Sequence, residues 1–110
     1  MAEQAAPAAG ASERELFRQG VRAFVEREVL PCAEELDQHG VFPERLFRRL
    51  GELGYLGLRY PEAIGGQGAD FQSACVLYEE LAAGSLSLAA IAAMQGLMGT
   101  VFVHCHDHGV

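Results

Sequence analysis

LAAGSLSLAAIAAMQGLMGTVFV, residues 81–103, is the longest stretch without a charged side chain, and the fold follows from it. Ser85 and Ser87 can each cap a helix start, because a hydroxyl oxygen accepts from backbone N–H groups that otherwise lack partners. The apolar residues beyond them cover more than one helix face, and alanines, which are strong helix formers, fill the gaps. A helix that is apolar all round is typical of one buried on all sides. The stretch therefore predicts a central helix of roughly 36 Å in an all-α domain.

A membrane span is the rival interpretation of this stretch, since about 20 mostly apolar residues can cross a bilayer. Neither flank carries the Lys/Arg cluster that sets the orientation of a span, because Glu79 and Glu80 lie on one side and Asp107 on the other. Polar residues and glycines also interrupt the run, namely Gly84, Ser85, Ser87, Gln95, Gly96, Gly99 and Thr100. We therefore expect no membrane span.

The length of 110 residues predicts one small domain with little core to spare. A helix without a polar face in so small a core suggests that further protein covers it. The net charge of −7 argues against a nucleic-acid partner, because contacts with phosphates need a cationic patch.

The N-terminal residues and the cysteines indicate the cellular location of the protein. Residues 1–11 are rich in alanine and have no apolar period, which predicts a disordered leader. They contain Glu3 and have neither the apolar core of a signal peptide nor the arginines of a transit peptide. Cys32, Cys75 and Cys105 are odd in number and far apart, which predicts free thiols in a reducing cytosol. All eight cations are arginine, which, with the abundant alanine and glycine, favours a GC-rich bacterial source. We expect a cytoplasmic protein.

The first predicted helix begins at Ser12, whose hydroxyl and the carboxylate of Glu15 form a capping-box pattern. Pro31 predicts a kink or a new segment from Ala33, and Gly40 ends the helix. Its apolar stripe is Leu16, Phe17, Gly20, Val21, Phe24, Val25 and Val29. The opposite face is predicted to be solvated and carries Arg14, Arg18, Arg22, Glu26 and Arg27.

Two more helices precede the central one, which makes four helices without a strand or an internal repeat. The second starts at Pro43 and ends before Gly54 at the C′ position. Residues 56–60 predict a short extended piece, because a proline follows them. Asp70 caps the third helix. Its predicted inward residues are Phe71, Ala74, Leu77, Tyr78 and Leu81, while Gln72, Glu79 and Glu80 face outward or lie at the rim.

The glycine-rich turn at residues 65–68 could cradle a phosphate at the start of the next helix. It fits neither G-x-G-x-x-G nor the phosphate loop that ends in Lys-Ser/Thr, and Asp70 would repel an anion. We therefore predict that its three glycines supply positive φ angles for a tight turn.

Other candidate chemistry is weaker. His104 and His108 share a helix face at i and i+4, as zinc ligands do, but no third ligand stands at a familiar spacing. Histidines favourable to the helix dipole explain them better than a metal does. Two neighbouring carboxylate pairs, at residues 34–35 and 79–80, do not face each other on a helix, which favours a solvated surface over acid–base catalysis. No catalytic or metal-binding residue is assigned.

Five blocks of sequence, in this order and spacing, resemble the N-terminal helical domain of the acyl-CoA dehydrogenase family. They are FVEREVLP (24–31), FP (42–43), LGYLG (53–57), YPEAIGGQG (60–68) and EELA (79–82). The resemblance implies a helical domain over residues 12–110, without the middle β domain and the C-terminal helical domain of the family.

This resemblance implies an FAD enzyme that desaturates an acyl-CoA or acyl-carrier thioester between Cα and Cβ. In the family a carboxylate removes the α-proton while the β-hydride passes to the flavin, and electrons usually leave to an electron-transfer flavoprotein. The flavin and the catalytic glutamate lie mainly in the other two domains, and the assembly is commonly a tetramer. We expect the present chain alone not to be catalytic.

Carried over by position, the resemblance implies an acyl-pocket wall of Ala89, Ala90, Ala93, Met94 and Leu97. Medium-chain members have larger polar side chains at the places of Ala89 and Ala93. Methyl groups there predict a deeper pocket and a long or bulky acyl group. Close packing between helices is the alternative explanation for these alanines.

Other functions remain open at this point. Acyl-CoA oxidases share the N-terminal pattern to a degree, and nitroalkane oxidases use the same scaffold with a different base. An alternative of another class is a non-catalytic helical module that binds a protein partner or an acyl chain through its apolar central helix.

Overall fold

The computed structural model describes residues 10–39 and 43–107, and within them it contains five α-helices and no β-strand. They are α1 (Ala11–Phe24), α2 (Ala33–His39), α3 (Glu44–Glu52), α4 (Phe71–Gly84) and α5 (Leu86–Asp107). A π-helical segment, Val25–Val29, and a 3-10 turn, Leu30–Cys32, connect α1 to α2, so the chain forms four helical rods. The all-α prediction is confirmed, as is a new segment from Ala33. The predicted stop at Gly40 and most of the predicted leader lie outside the described residues.

The start of α1 differs from the prediction. Gly10 is the N-cap residue, and its N–H donates to Oε1 of Glu13 at 3.2 Å. Ser12 therefore lies inside the helix, and the carboxylate of Glu15 accepts instead from Gln19 one turn later. The cap predicted at Ser12 is wrong by two residues, because Glu13 offers an equivalent carboxylate to the earlier position.

Helix α4 lies in the middle of the bundle and packs against both α1 and α5, while α3 contacts α5. The apolar stripe of α1 is confirmed at Val21, Phe24, Val25 and Val29, which are buried. Leu16 is exposed, contrary to prediction, because the packed stripe runs through residues 17, 21 and 24. The other main core side chains are Leu46, Leu50, Leu58, Ala74, Leu77, Leu81, Leu88, Ala89 and Ala92.

Phe71 was predicted to face inward and is instead 64% exposed, at the first turn of α4. The guanidinium carbon of Arg59 lies 5.3 Å from the centre of its ring, a distance at which a cation is attracted to an aromatic face. Phe71 therefore packs against the connecting segment rather than into the core.

The π-helical segment crosses α4 at Gly84 with the two backbones close together. A Cβ atom at Gly84 would lie 2.5 Å from Cγ1 of Val25 and 3.1 Å from Cγ1 of Val29. Valine side chains have little freedom to retreat, because branching at Cβ restricts χ1. The glycine is thus required by the crossing and not by its backbone angles.

We expect opposite signs from two glycine-to-alanine changes in this bundle. Gly84→Ala should lower the free energy of unfolding by about 1–2 kcal/mol through overpacking. Gly20→Ala should raise it by about 0.5–1 kcal/mol, because Gly20 is exposed inside α1 with nothing near its side-chain position. Urea denaturation measures both changes, and equal effects would argue against the close crossing.

A buried carboxylate joins α1 to α4, which the sequence analysis missed. Glu80 is only 7% exposed and accepts from Arg18 at 2.7 Å and from two nitrogens of Arg22 at 2.9 and 3.0 Å. Arg18 also donates to Glu79 at 3.0 Å. Glu80, predicted to face outward or to lie at the rim, is therefore buried between the helices, while Arg18 and Arg22 bind it from the predicted solvated face and keep part of their side chains exposed. The two arginines stand one turn apart and form a clamp for a carboxylate on the facing helix.

A second ion-pair cluster fixes the π-helical segment to α3. Both carboxylate oxygens of Glu28 accept from Arg49, at 2.9 and 3.0 Å, in a bidentate pair. Arg45 and Arg27 lie farther away, at 3.6 and 4.0 Å. Hydrogen bonds from these arginine partners lower the pKa of Glu28 and of Glu80 below their ordinary value, more than burial raises it.

These lowered pKa values predict acid lability. A carboxylate whose pKa is lowered on folding stabilises the fold above its unfolded value, and that contribution is lost as the pH falls through the folded value. We expect the urea midpoint to decline as the pH falls below about 4.5. The double variant Glu28→Gln/Glu80→Gln should show a shallower decline and converge with the natural sequence in acid. Parallel slopes would contradict this role.

Helix α5 starts as predicted and is buried less than predicted. The hydroxyl of Ser85, the buried N-cap residue, accepts from the N–H of Leu88 at 3.2 Å, while Ser87 lies within the helix. Leu88 and Ala92 face the bundle, but most of the other large side chains are exposed. The exposed set, called the α5 outer face below, is Leu86, Met94, Leu97, Met98, Val101 and Phe102.

From Leu86 to Cys105 helix α5 is long and apolar enough to cross a membrane, and 17% of its most apolar part is buried inside the bundle. Core helices of soluble proteins pass the same test, so this finding is weak support for a span. Within the described residues α1, α3 and α4 leave one side of α5 uncovered, so the predicted burial on all sides depends on the further protein expected from the sequence.

Candidate functional site

A cavity of about 230 Å³ lies between α4, α5 and the segment that connects α3 to α4. We call it the tyrosine cavity, because three tyrosines form much of its wall. Its lining residues are Tyr55, Leu56, Leu58, Arg59, Tyr60, Phe71, Ala74, Tyr78, Ala93, Gly96, Leu97 and Thr100. It brings together side chains that are up to 45 residues apart in the chain.

The connecting segment begins with a helix end that positions Tyr55. Gly54, at the predicted C′ position, has φ +82, and the N–H of Tyr55 donates to the carbonyl of Leu50 at 2.9 Å. With the bond from Gly54 to Gly51, this is a Schellman arrangement. The ring of Tyr55 then packs edge-on against Phe17 and Phe24, with centroids 5.9 and 6.1 Å apart. The cavity wall at Tyr55 is thus held by α1.

Residues 56–60 were predicted to be extended, and the structure shows turns instead. The reason lies in the glycine-rich segment, which folds back along them. The N–H groups of Gln67, Gly68 and Ala69 donate to the carbonyls of Gly57, Tyr60 and Leu58, at 3.1, 2.9 and 2.9 Å. These bonds hold Tyr60 in place at the base of the cavity.

Tyr60 reaches across the cavity and bonds to the backbone of α5. Its hydroxyl donates to the carbonyl of Gln95 at 2.8 Å. The approach depends on two glycines of α5. A Cβ atom at Gly99 would collide with the phenol of Tyr60, and one at Gly96 would lie 2.9 Å from the hydroxyl of Tyr78. These glycines let two aromatic rings pack directly against the helix backbone.

The glycine-rich turn is structural, as predicted, although its glycines act differently. Gly65 and Gly68 have positive φ angles of 92 and 63 degrees, but Gly66 does not. A Cβ at Gly66 would collide with the backbone carbonyl of Tyr60, so this position requires glycine for close approach.

The same turn does not fit the pyrophosphate of a dinucleotide such as FAD. A phosphate cradle needs backbone N–H groups that are free to donate to the anion. Here every N–H from residue 65 to residue 69 donates to a backbone carbonyl of residues 57–62, at 2.9 to 3.1 Å. The backbone of residues 65–69 therefore offers no cradle for a pyrophosphate.

The wall of the tyrosine cavity is almost uncharged. Burial raises the pKa of Tyr55, Tyr60 and Tyr78 above its ordinary value, so their hydroxyls, which are neutral at physiological pH, ionise less readily still. Arg59 supplies the positive charge at the mouth, where it contacts Phe71. No carboxylate is among the cavity's lining residues in the described part of the chain. The cavity is therefore suited to binding an apolar group and does not itself provide a base.

The five predicted acyl-wall residues lie along α5 but do not share one cavity. Ala93 and Leu97 line the tyrosine cavity. Ala90 and Met94 line a wider, more open groove on the other side, together with Phe47, Ile91, Gln95 and Met98. Ala89 is buried in the core and lines neither. Their role as a wall for an acyl chain stays a prediction.

The remaining sequence candidates are not assembled into a site. Within residues 10–39 and 43–107, no group of three potential metal ligands comes together. His104 is exposed near the end of α5, and His108 lies outside the described residues. The three cysteines are free thiols, as predicted.

The sequence analysis missed Tyr60, Tyr78 and Thr100 as site residues. Tyr60 was assigned to the short extended piece, and Tyr78 was assigned to the core. The glycines of α5 could have indicated these contacts, because a glycine inside an apolar helix often marks the close approach of another group. Gly96 and Gly99 were noted only as interruptions of a membrane span.

Comparison with known proteins agrees with the fold and the block pattern. The family model described as the N-terminal domain of acyl-CoA dehydrogenase matches residues 11–107. A benzylmalonyl-CoA dehydrogenase from Aromatoleum aromaticum is 48% identical over 80 residues, which cover 73% of this chain and 21% of that protein. A probable acyl-CoA dehydrogenase from Bacillus subtilis is 40% identical over 84 residues, 74% of this chain and 22% of that protein.

A 3-(aryl)acrylate reductase from Clostridium sporogenes is 30% identical over 92 residues, 83% of this chain and 24% of that protein. The chain thus spans between a fifth and a quarter of the length of these three relatives. The family match covers nearly all of the helical bundle described above. The chain therefore belongs to the acyl-CoA dehydrogenase family, as its N-terminal helical domain.

Proposed function

We propose that this domain forms part of an FAD-dependent acyl-CoA dehydrogenase that desaturates acyl thioesters, and that it supplies a wall of the acyl pocket. The observation that supports the proposal is the α5 outer face, which includes Leu97 at 60% and Phe102 at 67% exposed. Soluble monomers rarely expose contiguous apolar patches of more than a few hundred Å². The face is suited to contact with further domains and with an acyl chain.

The small residues of α5 support a long or bulky acyl group. Ala90 and Ala93 each lie beside a cavity and present only a methyl group to it. Ligand pockets are mostly apolar with few polar groups, which the walls described above satisfy. Two of the three relatives named above carry an aromatic group in their printed names, benzylmalonyl-CoA and 3-(aryl)acrylate. Those names agree with a bulky rather than a short substrate.

We propose that FAD and the base are held mainly by parts of the enzyme outside the described residues. The bonded amides of residues 65–69 support this, since they leave no cradle for a pyrophosphate there. The bound flavin would supply the hydride acceptor. On the basis of the same family membership we also propose an electron-transfer flavoprotein as the electron acceptor and a tetramer as the assembly. The bacterial cytoplasm as the location is supported by the free thiols and by cations that are all arginine.

Ala93→Glu in the full-length enzyme tests the acyl wall. We expect kcat/KM for a long-chain thioester to fall by at least tenfold, because a carboxylate placed in an apolar pocket must be desolvated. A butanoyl thioester, which does not reach that depth, should be affected less than threefold. Steady-state assays with a chain-length series measure the ratio. Preference for short thioesters with no effect of the substitution would contradict the wall.

A non-catalytic helical module is the second candidate, and the same exposed face of α5 favours it. A flavin absorption spectrum and an intact mass of the protein purified from its natural source separate the two. A yellow protein several times the mass of this chain supports the dehydrogenase. A colourless 11.8 kDa protein that binds acyl chains supports the module.

A further inference from the structure

We propose that the tyrosine cavity binds the aromatic ring at the end of an ω-aryl acyl thioester. This inference rests on the proposed function and narrows its substrate class. The acyl wall predicted from the sequence runs along α5 only, whereas this cavity is built largely by Tyr60 and Tyr78 from other elements. It therefore adds a subsite that the α5 residues alone do not define.

The size of the cavity fits a phenyl ring with part of its linker. An apolar cavity of about 150 Å³ is sufficient to bind benzene in another protein. The tyrosine cavity has about 230 Å³, which leaves room for one or two methylene groups beside the ring. It is also open on one side, so that a linker can leave it without crossing the core.

The walls of the cavity favour a ring over a linear chain. Tyr60 and Tyr78 present their rings from two different elements, and Phe71 stands at the mouth. Offset or edge-on contacts between aromatic rings contribute about 2- to 12-fold in affinity beyond the area they bury. A linear chain of the same length would gain only the affinity that comes from the apolar area it buries.

Two hydroxyls of the wall already have hydrogen-bond partners within the protein. The hydroxyl of Tyr60 donates to the carbonyl of Gln95 at 2.8 Å, and that of Thr100 donates to the carbonyl of Gly96 at 2.9 Å. A hydrogen-bonded hydroxyl needs no partner from the ligand, so an apolar ring leaves neither of these two hydroxyls without a partner. The ring of Tyr60 is therefore held in a fixed position, where a ligand ring can pack against it.

The cavity is continuous with the predicted acyl wall. Ala93 and Leu97 belong to both, and Leu97 is also part of the α5 outer face. A thioester whose chain lies along that face would direct its end towards Ala93. The methyl group of Ala93 is small enough to leave the entrance open, and a larger side chain there would close it.

The test uses the full-length holoenzyme and a series of ω-phenylalkanoyl-CoA substrates beside straight-chain thioesters of matched length. We expect the best phenyl substrate to exceed its straight-chain match in kcat/KM. Ala93→Leu should lower kcat/KM for the phenyl substrate by about 10- to 200-fold, because it fills the volume that the ring needs. The same substitution should change kcat/KM for butanoyl-CoA by less than threefold. Thr100→Leu narrows the same cavity from an exposed position. It tests the proposal even if the Ala93→Leu variant does not fold.

Ala23→Leu is the matched control, because it adds the same volume at an exposed position of α1. It should leave kcat/KM unchanged for both the phenyl substrate and butanoyl-CoA. Calorimetric binding of the phenyl substrate to each variant supplies a second readout. Equal losses of kcat/KM for the phenyl and butanoyl substrates, or a preference for straight chains, would overturn the proposal that the cavity binds an aromatic ring. The proposed dehydrogenase activity would still stand. Tight phenyl binding that Ala93→Leu abolishes, in a protein that oxidises no thioester, would uphold the cavity and overturn the proposed activity.

Discussion

Gly66→Ala is expected to lower the free energy of unfolding by about 3 kcal/mol, at the upper end of the cost of overpacking. The added methyl group would collide with the backbone of Tyr60, not with the end of a flexible side chain, so the turn itself must move. That movement would break the bonds from Gln67, Gly68 and Ala69 that hold residues 57–60. Urea denaturation measures the loss.

Gly65→Ala is the matched control for this prediction. Gly65 has open space around its side-chain position but a φ of 92 degrees, so an alanine there costs only backbone strain, about 1 kcal/mol. The two neighbouring substitutions therefore separate close approach from backbone conformation. A Gly66 variant as stable as the Gly65 variant would show that the turn does not pack against Tyr60 as described.

Glu80→Gln is expected to cost about 1–2 kcal/mol of stability, because it removes a buried charge from its hydrogen bonds with Arg18 and Arg22. The value lies below that of a fully buried pair, because both arginines remain partly exposed. Denaturation in urea near pH 7 measures it, where the carboxylate is fully ionised.

Glu79→Gln is the control, at the adjacent residue and with the same change in charge. Glu79 is 64% exposed and makes one contact with Arg18, so its replacement should cost less than a quarter as much. A coupling between Glu80→Gln and Arg22→Gln in a double-mutant cycle would locate the effect in the clamp. Similar losses at both glutamates would contradict the distinction between buried and surface ion pairs.

Local sequence patterns predicted most of the helices and several of their ends. The spacing of Val21, Phe24 and Val25 identified the buried side of α1, because it follows from helix periodicity alone. Asp70 and Ser85 cap α4 and α5 as predicted, since a cap depends on neighbours three residues away. The segment after Pro31 was also predicted by a local property, the missing N–H of proline.

Features that depend on distant parts of the chain were not predicted. Glu80 is separated from Arg22 by 58 residues, and periodicity alone assigns a charged residue to the solvent side. Tyr60 lies 35 residues from Gln95, and its role depends on how the glycine-rich turn folds back. The α5 wall residues came only from the family resemblance, which gives positions on one helix but not the partners opposite them.

The bond from Tyr60 to the carbonyl of Gln95 has a consequence for how this scaffold adjusts to ligands. Turning α5 by one residue would swing that carbonyl by about 100 degrees and carry Gly99 out from beneath the phenol. These contacts therefore oppose a rotation of α5 about its axis that would widen or narrow the groove. A lineage that changes its preferred ligand would therefore do so by exchanging side chains that line the groove and the tyrosine cavity, such as those at residues 90 and 93.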